Sequence, residues 1–199
     1  MHVLSASNDR QIRVHHLDRG AQVEAYPLAA CVNSAAVQEH LVAAAIDSPE
    51  VPVLDRRTGT TAITCEGHVD HSFGVDWNPA NEFQFATCNQ DKSVRVWDIR
   101  TGRAVHVLCA RVAGCLNVQY SRDGQYLVFG EAIDFVHVYD TRCFEQCQII
   151  DVFGNISGVS FNQFEANPKA LYAGLSDSTF SSLVEFHNTA DQPLIDLAL

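Results

Sequence analysis

The sequence is short of basic charge, long apolar runs and helical periodicity, and each shortage removes a class of protein. Thirteen Lys and Arg stand against 24 Asp and Glu, a formal net charge of -11 over 199 residues. A surface that holds a phosphate backbone without regard to sequence needs a basic face, so nucleic acid is not an expected partner. The small basic groups, Arg10, Arg13 and Arg19 and then Arg56 and Arg57, read as solvated strand ends. No apolar run approaches the ~20 residues of a membrane-spanning helix, and no charged segment leads into an apolar one as in a secretory signal. Seven cysteines, an odd number without CxxC spacing and several inside apolar runs, suit buried reduced thiols. The expected setting is therefore a reducing one, cytoplasmic or nuclear. Cys143 and Cys147 near His137 suggest a metal corner, but their spacing is looser than zinc sites use. No metal or cofactor is expected.

What is present is strand. With 47% hydrophobic and 19% charged residues, the chain supports one domain with a substantial core. Short alternating runs rich in Val, Ile, Phe and Tyr flank Asp9, Asp47, Asp91, Asp134 and Asp177, spaced 38, 44, 43 and 43 residues apart. That period matches the ~40 to 45 residues of a four-stranded propeller blade. The expected units are 1–28 (partial), 29–66, 67–110, 111–152 and 153–199 (partial), together one domain over 1–199. The first opens with the second, third and fourth strands of a blade. In the second, Pro49 and Pro52 weaken the third strand, because proline cannot donate to a ladder. The third is the most complete: Phe73 to Trp77, Phe83 to Cys88, Ser93 to Asp98 and Ala104 to Leu108.

The stretch GHVDHSFGVDWNPANEFQFATCNQDKSVRVWDIRTG, Gly67 to Gly102, resembles a blade of the WD-repeat (WD-40, β-transducin-like) family. The resemblance implies an all-β propeller whose blade is tied by a hydrogen-bonded tetrad: His68 before the first strand, Thr87 on the second, Asp91 in the turn and Trp97 on the third. His15, Leu54 and Tyr139 stand at the Trp97 position in other units, so those units are expected to rest on packing. The later segments EAIDFVHVYDTR, IIDVFGNISGVSF and SSLVEF resemble the C-terminal part of plant and fungal WD-repeat proteins with no assigned biochemical role. Three complete blades flanked by three N-terminal strands and three or four C-terminal ones do not make a closed ring, so the expectation is an open arc of about four and a half blades, part of a seven-blade propeller. Its exposed ends are candidates for self-association.

The functional expectation is a non-catalytic scaffold that binds a protein or peptide on its loops. Two alternatives stand beside it. Residues 85–100, FATCNQDKSVRVWDIR, resemble the box by which WD-repeat substrate receptors dock on the adaptor of cullin-RING ubiquitin ligases; there Arg100, oriented by Asp98, would meet a partner's carboxylate. A propeller enzyme or metal-binding protein would need converging acids or ligands, for which Asp70, His71 and Asp76 are the nearest group. His68, Asp91 and Thr87 also have the residue types of a nucleophilic triad, but Thr87 in mid-strand would be a poorly exposed nucleophile.

Overall fold

The computed structural model describes residues 2–145, 147–162, 170–176 and 181–186. Asp177 and the tail 187–199 lie outside them. β1 (His2–Ser7), β2 (Gln11–His16) and β3 (Ala21–Pro27) form a three-stranded antiparallel sheet. β4 (Val32–Gln38), β5 (Leu41–Ile46), β6 (Val51–Asp55) and β7 (Thr60–Cys65) form the second sheet. The third comprises β8 (Ser72–Trp77), β9 (Gln84–Asn89), β10 (Ser93–Asp98) and β11 (Arg103–Cys109). Six strands complete the arc: β12 (Cys115–Tyr120), β13 (Tyr126–Glu131), β14 (Ile133–Asp140), β15 (Cys147–Phe161), β16 (Leu171–Ser176) and β17 (Ser181–Phe186).

Strand alternation decides where the core lies. In β5, Val42, Ala44 and Ile46 pack with Ile12, Val14 and Tyr26 of the first sheet, while Ala43 and Ala45 pack with Trp77, Phe85 and Trp97 of the third. β9 repeats the division, with Phe85 facing back and Ala86 and Cys88 facing forward onto Val118, Tyr120 and Phe129. Three apolar clusters thus fill the three interfaces between successive sheets, and a fourth lies between the two halves of the six-stranded sheet, so that each inner blade buries both faces on its neighbours as a propeller requires. The strand contacts made outside the ladders join one blade to the next, and β1 stands against β4 as β5 stands against β8. The first sheet therefore holds a blade's second to fourth strands, and the described residues form an open arc, a partial propeller.

Two local outcomes carry physical reasons. The ladder between β5 and β6 covers only Leu41 to Ala43 against Val53 to Asp55, which ends short of Pro52 because that residue has no N–H to give. The expected boundary between 152 and 153 falls inside β15, which pairs with β14 through Cys147 to Asp151 and with β16 through Asn155 to Phe161. One strand is therefore the outermost of the fourth blade and the innermost of the fifth.

Polar side chains pin the inner strands to each other. Asp76 Oδ2 accepts the Tyr120 N–H at 2.7 Å, Gln119 Oε1 accepts the Phe161 N–H at 2.8 Å, and the Ala36 carbonyl accepts the Trp77 indole N–H at 3.0 Å.

Candidate functional site

The third blade brings the four expected residues into one chain of hydrogen bonds. Gly67, at φ +151, lets the loop pass over the blade; a Cβ there would lie 2.7 Å from Arg95 Nη1 and 3.4 Å from the Trp97 ring. His68 Nδ1 then sits 2.9 Å from Asp91 Oδ2, and His68 Nε2 2.9 Å from Thr87 Oγ1. Thr87 Oγ1 accepts the Trp97 indole N–H at 2.7 Å. With one hydroxyl proton available, Thr87 donates to Nε2, so Nδ1 carries the imidazole proton and donates it to Asp91. Burial holds the His68 pKa below its ordinary value against the opposing pull of Asp91, so the ring is neutral. Burial pushes the Asp91 carboxyl up, but bonds from Ser93 and His68 outweigh it and the net shift is downward.

This geometry does not present a nucleophile. Thr87 is fully buried, the His68 side chain has no exposed surface, and the hydroxyl is committed to imidazole and indole. The second candidate group does not converge either. Asp70 and His71 lie on the loop before β8, with half-exposed side chains, whereas Asp76 is near the far end of that strand, about 15 Å along it at ~3.3 Å per residue. Asp76 is also not the outward position that alternation suggests: an inner strand has a blade on each side, and its carboxylate turns to the Tyr120 and Trp77 N–H groups. Burial raises its pKa to about 6 despite both bonds.

Among the described residues no cluster of three or more His, Cys, Asp or Glu is placed to hold a metal ion. The Cys143, Cys147 and His137 corner does not assemble, because His137 Nε2 is engaged 2.7 Å from Glu131 Oε1.

That last contact is the feature sequence reasoning missed, and it corrects the expectation that the other blades rest on packing alone. Fully buried Glu131 accepts the backbone N–H groups of Arg111, Val112 and Ala113 at 2.8, 2.8 and 2.7 Å in addition to His137. Burial would raise its pKa, but these four donors hold it below the ordinary carboxylate value. His137 is neutral for a related reason: burial lowers its pKa, and Nδ1 is sealed in without a partner to receive a second proton. Phe129 stands where Thr87 stands in the third blade, stacked on His137 at 4.5 Å and on Tyr139 at 5.9 Å. A smaller relic survives in the first blade, where Ser5 Oγ lies 3.3 Å from His15 Nε2.

Asp98 and Arg100, expected from the sequence as candidate docking residues, close the turn after β10. Arg100 Nε and Nη2 donate to the Asp98 carboxylate at 3.0 and 2.6 Å, the guanidinium lies 4.7 Å over the Phe83 ring, and 61% of the Arg100 side chain is exposed. The arrangement recurs at Asp55 and Arg57 and at Asp140 and Arg142. In each turn a backbone N–H returns to the Asp carbonyl, from Gly59, Gly102 and Phe144 at 2.8, 2.9 and 2.8 Å. Two more arginines are matched as well, Arg13 to Asp9 within the first blade and Arg56 of the second blade to Glu24 of the first.

Twisted antiparallel sheets stacked face to face in an arc, with inner strands pinned to each other, define a β-propeller. Residues 59–98 match the family model described as "WD domain, G-beta repeat". Residues 59–98 are thus a WD repeat, set in a fold that is a partial β-propeller. It is 28% identical over 120 residues to the periodic tryptophan protein 2 homolog of Dictyostelium discoideum, a match covering 60% of this chain and 13% of that protein. It is 32% identical over 81 residues to THO complex subunit 3 of Arabidopsis thaliana, covering 40% of this chain and 25% of that one. The matched stretch is thus a quarter or less of either relative. A chain in the crystal structure of the mitotic checkpoint complex superposes with a TM-score of 0.76 at 14% identity, covering 96% of this chain and 63% of that chain.

Proposed function

We propose that the chain, as one propeller domain over 1–199, is a non-catalytic scaffold that binds a protein or peptide partner in a reducing compartment, the cytoplasm or nucleus. The observation that carries this reading is the fate of its reactive side chains. His68, Thr87, Asp91, Trp97, Glu131 and His137 spend their hydrogen bonds inside the blades, so the tetrad acts as a strut and the exposed loops are left for recognition. The similar chain in a multiprotein checkpoint assembly and the seven free cysteines are in keeping with it, and no helix among the described residues is long and apolar enough to cross a membrane. The test is affinity purification with quantitative mass spectrometry, followed by reconstitution from purified components on size exclusion with light scattering. A stoichiometric complex with a recovered protein is expected; no complex with any of them would overturn the reading. The same experiment reports self-association, for which the end sheets offer exposed Val3 and Leu183.

Docking on a cullin-RING ligase adaptor is favoured by one observation. Arg100 is held by Asp98 through Nε and Nη2, while Nη1 makes no hydrogen bond to the described residues. A preset guanidinium with a free edge suits a partner carboxylate. If Arg100→Ala co-purifies the adaptor as well as wild type does, this reading loses its main residue.

A further inference from the structure

The segments that enter the inner strands, loops in the third and fourth blades and the bend within β15 in the fifth, share a feature beyond the tetrad. Val69, Val112 and Phe153 each stand eight residues before the inner-strand aromatic of their blade, Trp77, Tyr120 and Phe161. They are 78%, 50% and 86% exposed. Single exposed apolar residues are ordinary, but one register position repeated in three consecutive blades places three apolar knobs on the same end of the propeller. Phe153 adds strain, since it sits at φ +50, in the left-handed region that bulky side chains avoid. Asp151 Oδ1 accepts its N–H at 3.1 Å and fixes that tip. The ring gains little burial within the chain in return.

Charge at this end has a sign. Glu66 and Asp70 on loops, Asp134 at the start of β14 and Asp151 at the bend of β15 stand at this end, against Lys92 and Arg111, and the Arg111 guanidinium lies 5.5 Å over the Phe135 ring. The opposite end carries the Arg57, Arg100 and Arg142 turns. An acidic surface studded with apolar points complements a segment that carries positive charge and apolar side chains together.

We propose that Val69, Val112 and Phe153, with the acids around them, form the docking surface for an extended cationic, apolar segment of a partner protein. The proposal rests on the scaffold reading and names its face and chemistry. Each blade offers one knob, so the segment crosses three blades, setting Leu- or Phe-like side chains on the knobs and Lys or Arg beside the acids.

The probe is a set of peptides of about 12 residues, a length that spans about 40 Å extended, selected from a random displayed library against the whole chain and measured by fluorescence polarisation. Selected sequences are expected to combine Lys or Arg with large apolar residues and to bind several-fold more weakly as salt rises from about 50 to about 500 mM. A Val69→Ser, Val112→Ser, Phe153→Ser variant with an unchanged melting temperature should bind at least ~10-fold more weakly, and Asp70→Lys with Asp151→Lys similarly. An Arg57→Ala, Arg142→Ala variant should bind as wild type does. If the serine variant melts early, the lysine variant decides alone. Peptides indifferent to the serine and lysine changes, or lost only with the arginines, would overturn this surface while leaving the scaffold reading intact. Failure to select any peptide on the folded chain would count against both.

Discussion

Glu131 and His137 meet at 2.7 Å in the interior of the fourth blade, and neither side chain has meaningful exposure. They perform for that blade what His68 and Asp91 perform for the third, with the parts exchanged. In the third blade the imidazole comes from the loop and the carboxylate from the turn between β9 and β10. In the fourth the carboxylate ends β13 and the imidazole lies on β14, at the register position of Arg95. Either way a buried acid anchors the loop entering the inner strand.

Glu131→Gln should therefore be costly although it is nearly isosteric. An amide offers one acceptor oxygen to four donors, and its NH2 would face the N–H groups of Val112 and Ala113 or those of Arg111 and His137. A loss of about 3 kcal/mol is expected, measured by urea denaturation with an unchanged m-value. Stability within error of wild type would remove the anchoring role.

Thr87 gives the corresponding test for the third blade. Thr87→Val keeps the shape but leaves the His68 Nε2 and Trp97 Nε1 groups buried without the hydroxyl, at an expected cost of about 2 to 4 kcal/mol. Thr87→Ser keeps the hydroxyl and should lose about 1 kcal/mol, from the missing methyl alone. Equal melting temperatures for the two variants would show that the tetrad contributes packing rather than hydrogen bonding.

Buried imidazoles and a buried carboxyl give stability opposite slopes with pH. Lowered imidazole pKa values at His68 and His137 mean that the unfolded chain binds protons first, so stability falls as pH drops below about 6.5. Asp76 has the reverse sign: its pKa is raised from 3.8 to about 6, so its carboxylate costs stability above that range and the cost fades as pH falls through it. Asp76→Asn removes the charge and keeps an acceptor for the Tyr120 N–H. It should raise the melting temperature at pH 7.5, by the equivalent of roughly 1 to 2 kcal/mol, with the advantage shrinking by pH 4.5. An advantage independent of pH would mean that the charge is not the cause.

Gly67→Ala places a Cβ 2.7 Å from Arg95 Nη1 at a backbone angle of +151. The flexible guanidinium yields, but the backbone penalty and the displaced Arg95, now stacked 5.9 Å over Trp97, should cost at least ~1 kcal/mol. Differential scanning calorimetry would report it, and an unchanged midpoint would show that the loop has room to shift.

The strands were readable because their apolar residues alternate between two interfaces, and His68, Thr87, Asp91 and Trp97 because each residue type is unusual at its place in a blade. Glu131 was not, since an acid before Ala132 and Ile133 reads as a solvated turn, and no spacing rule links it to His137 six residues on. The continuity of β15 was hidden by Gly154, which reads as a turn. In the structure the chain bends there around Phe153 without leaving the ladders on either side. The burial of Asp76 was not legible either, because alternation distinguishes core from solvent only when one face of a strand is wet.

The unbroken run of β15 has a mechanical consequence. Elsewhere in the arc neighbouring blades are tethered in sequence by loops, which would slacken under tension applied to the two ends of the chain. Across the fourth and fifth blades the load would pass along a single strand clasped by β14 on one half and β16 on the other, so these two should tear as one unit, after the joints upstream have already opened.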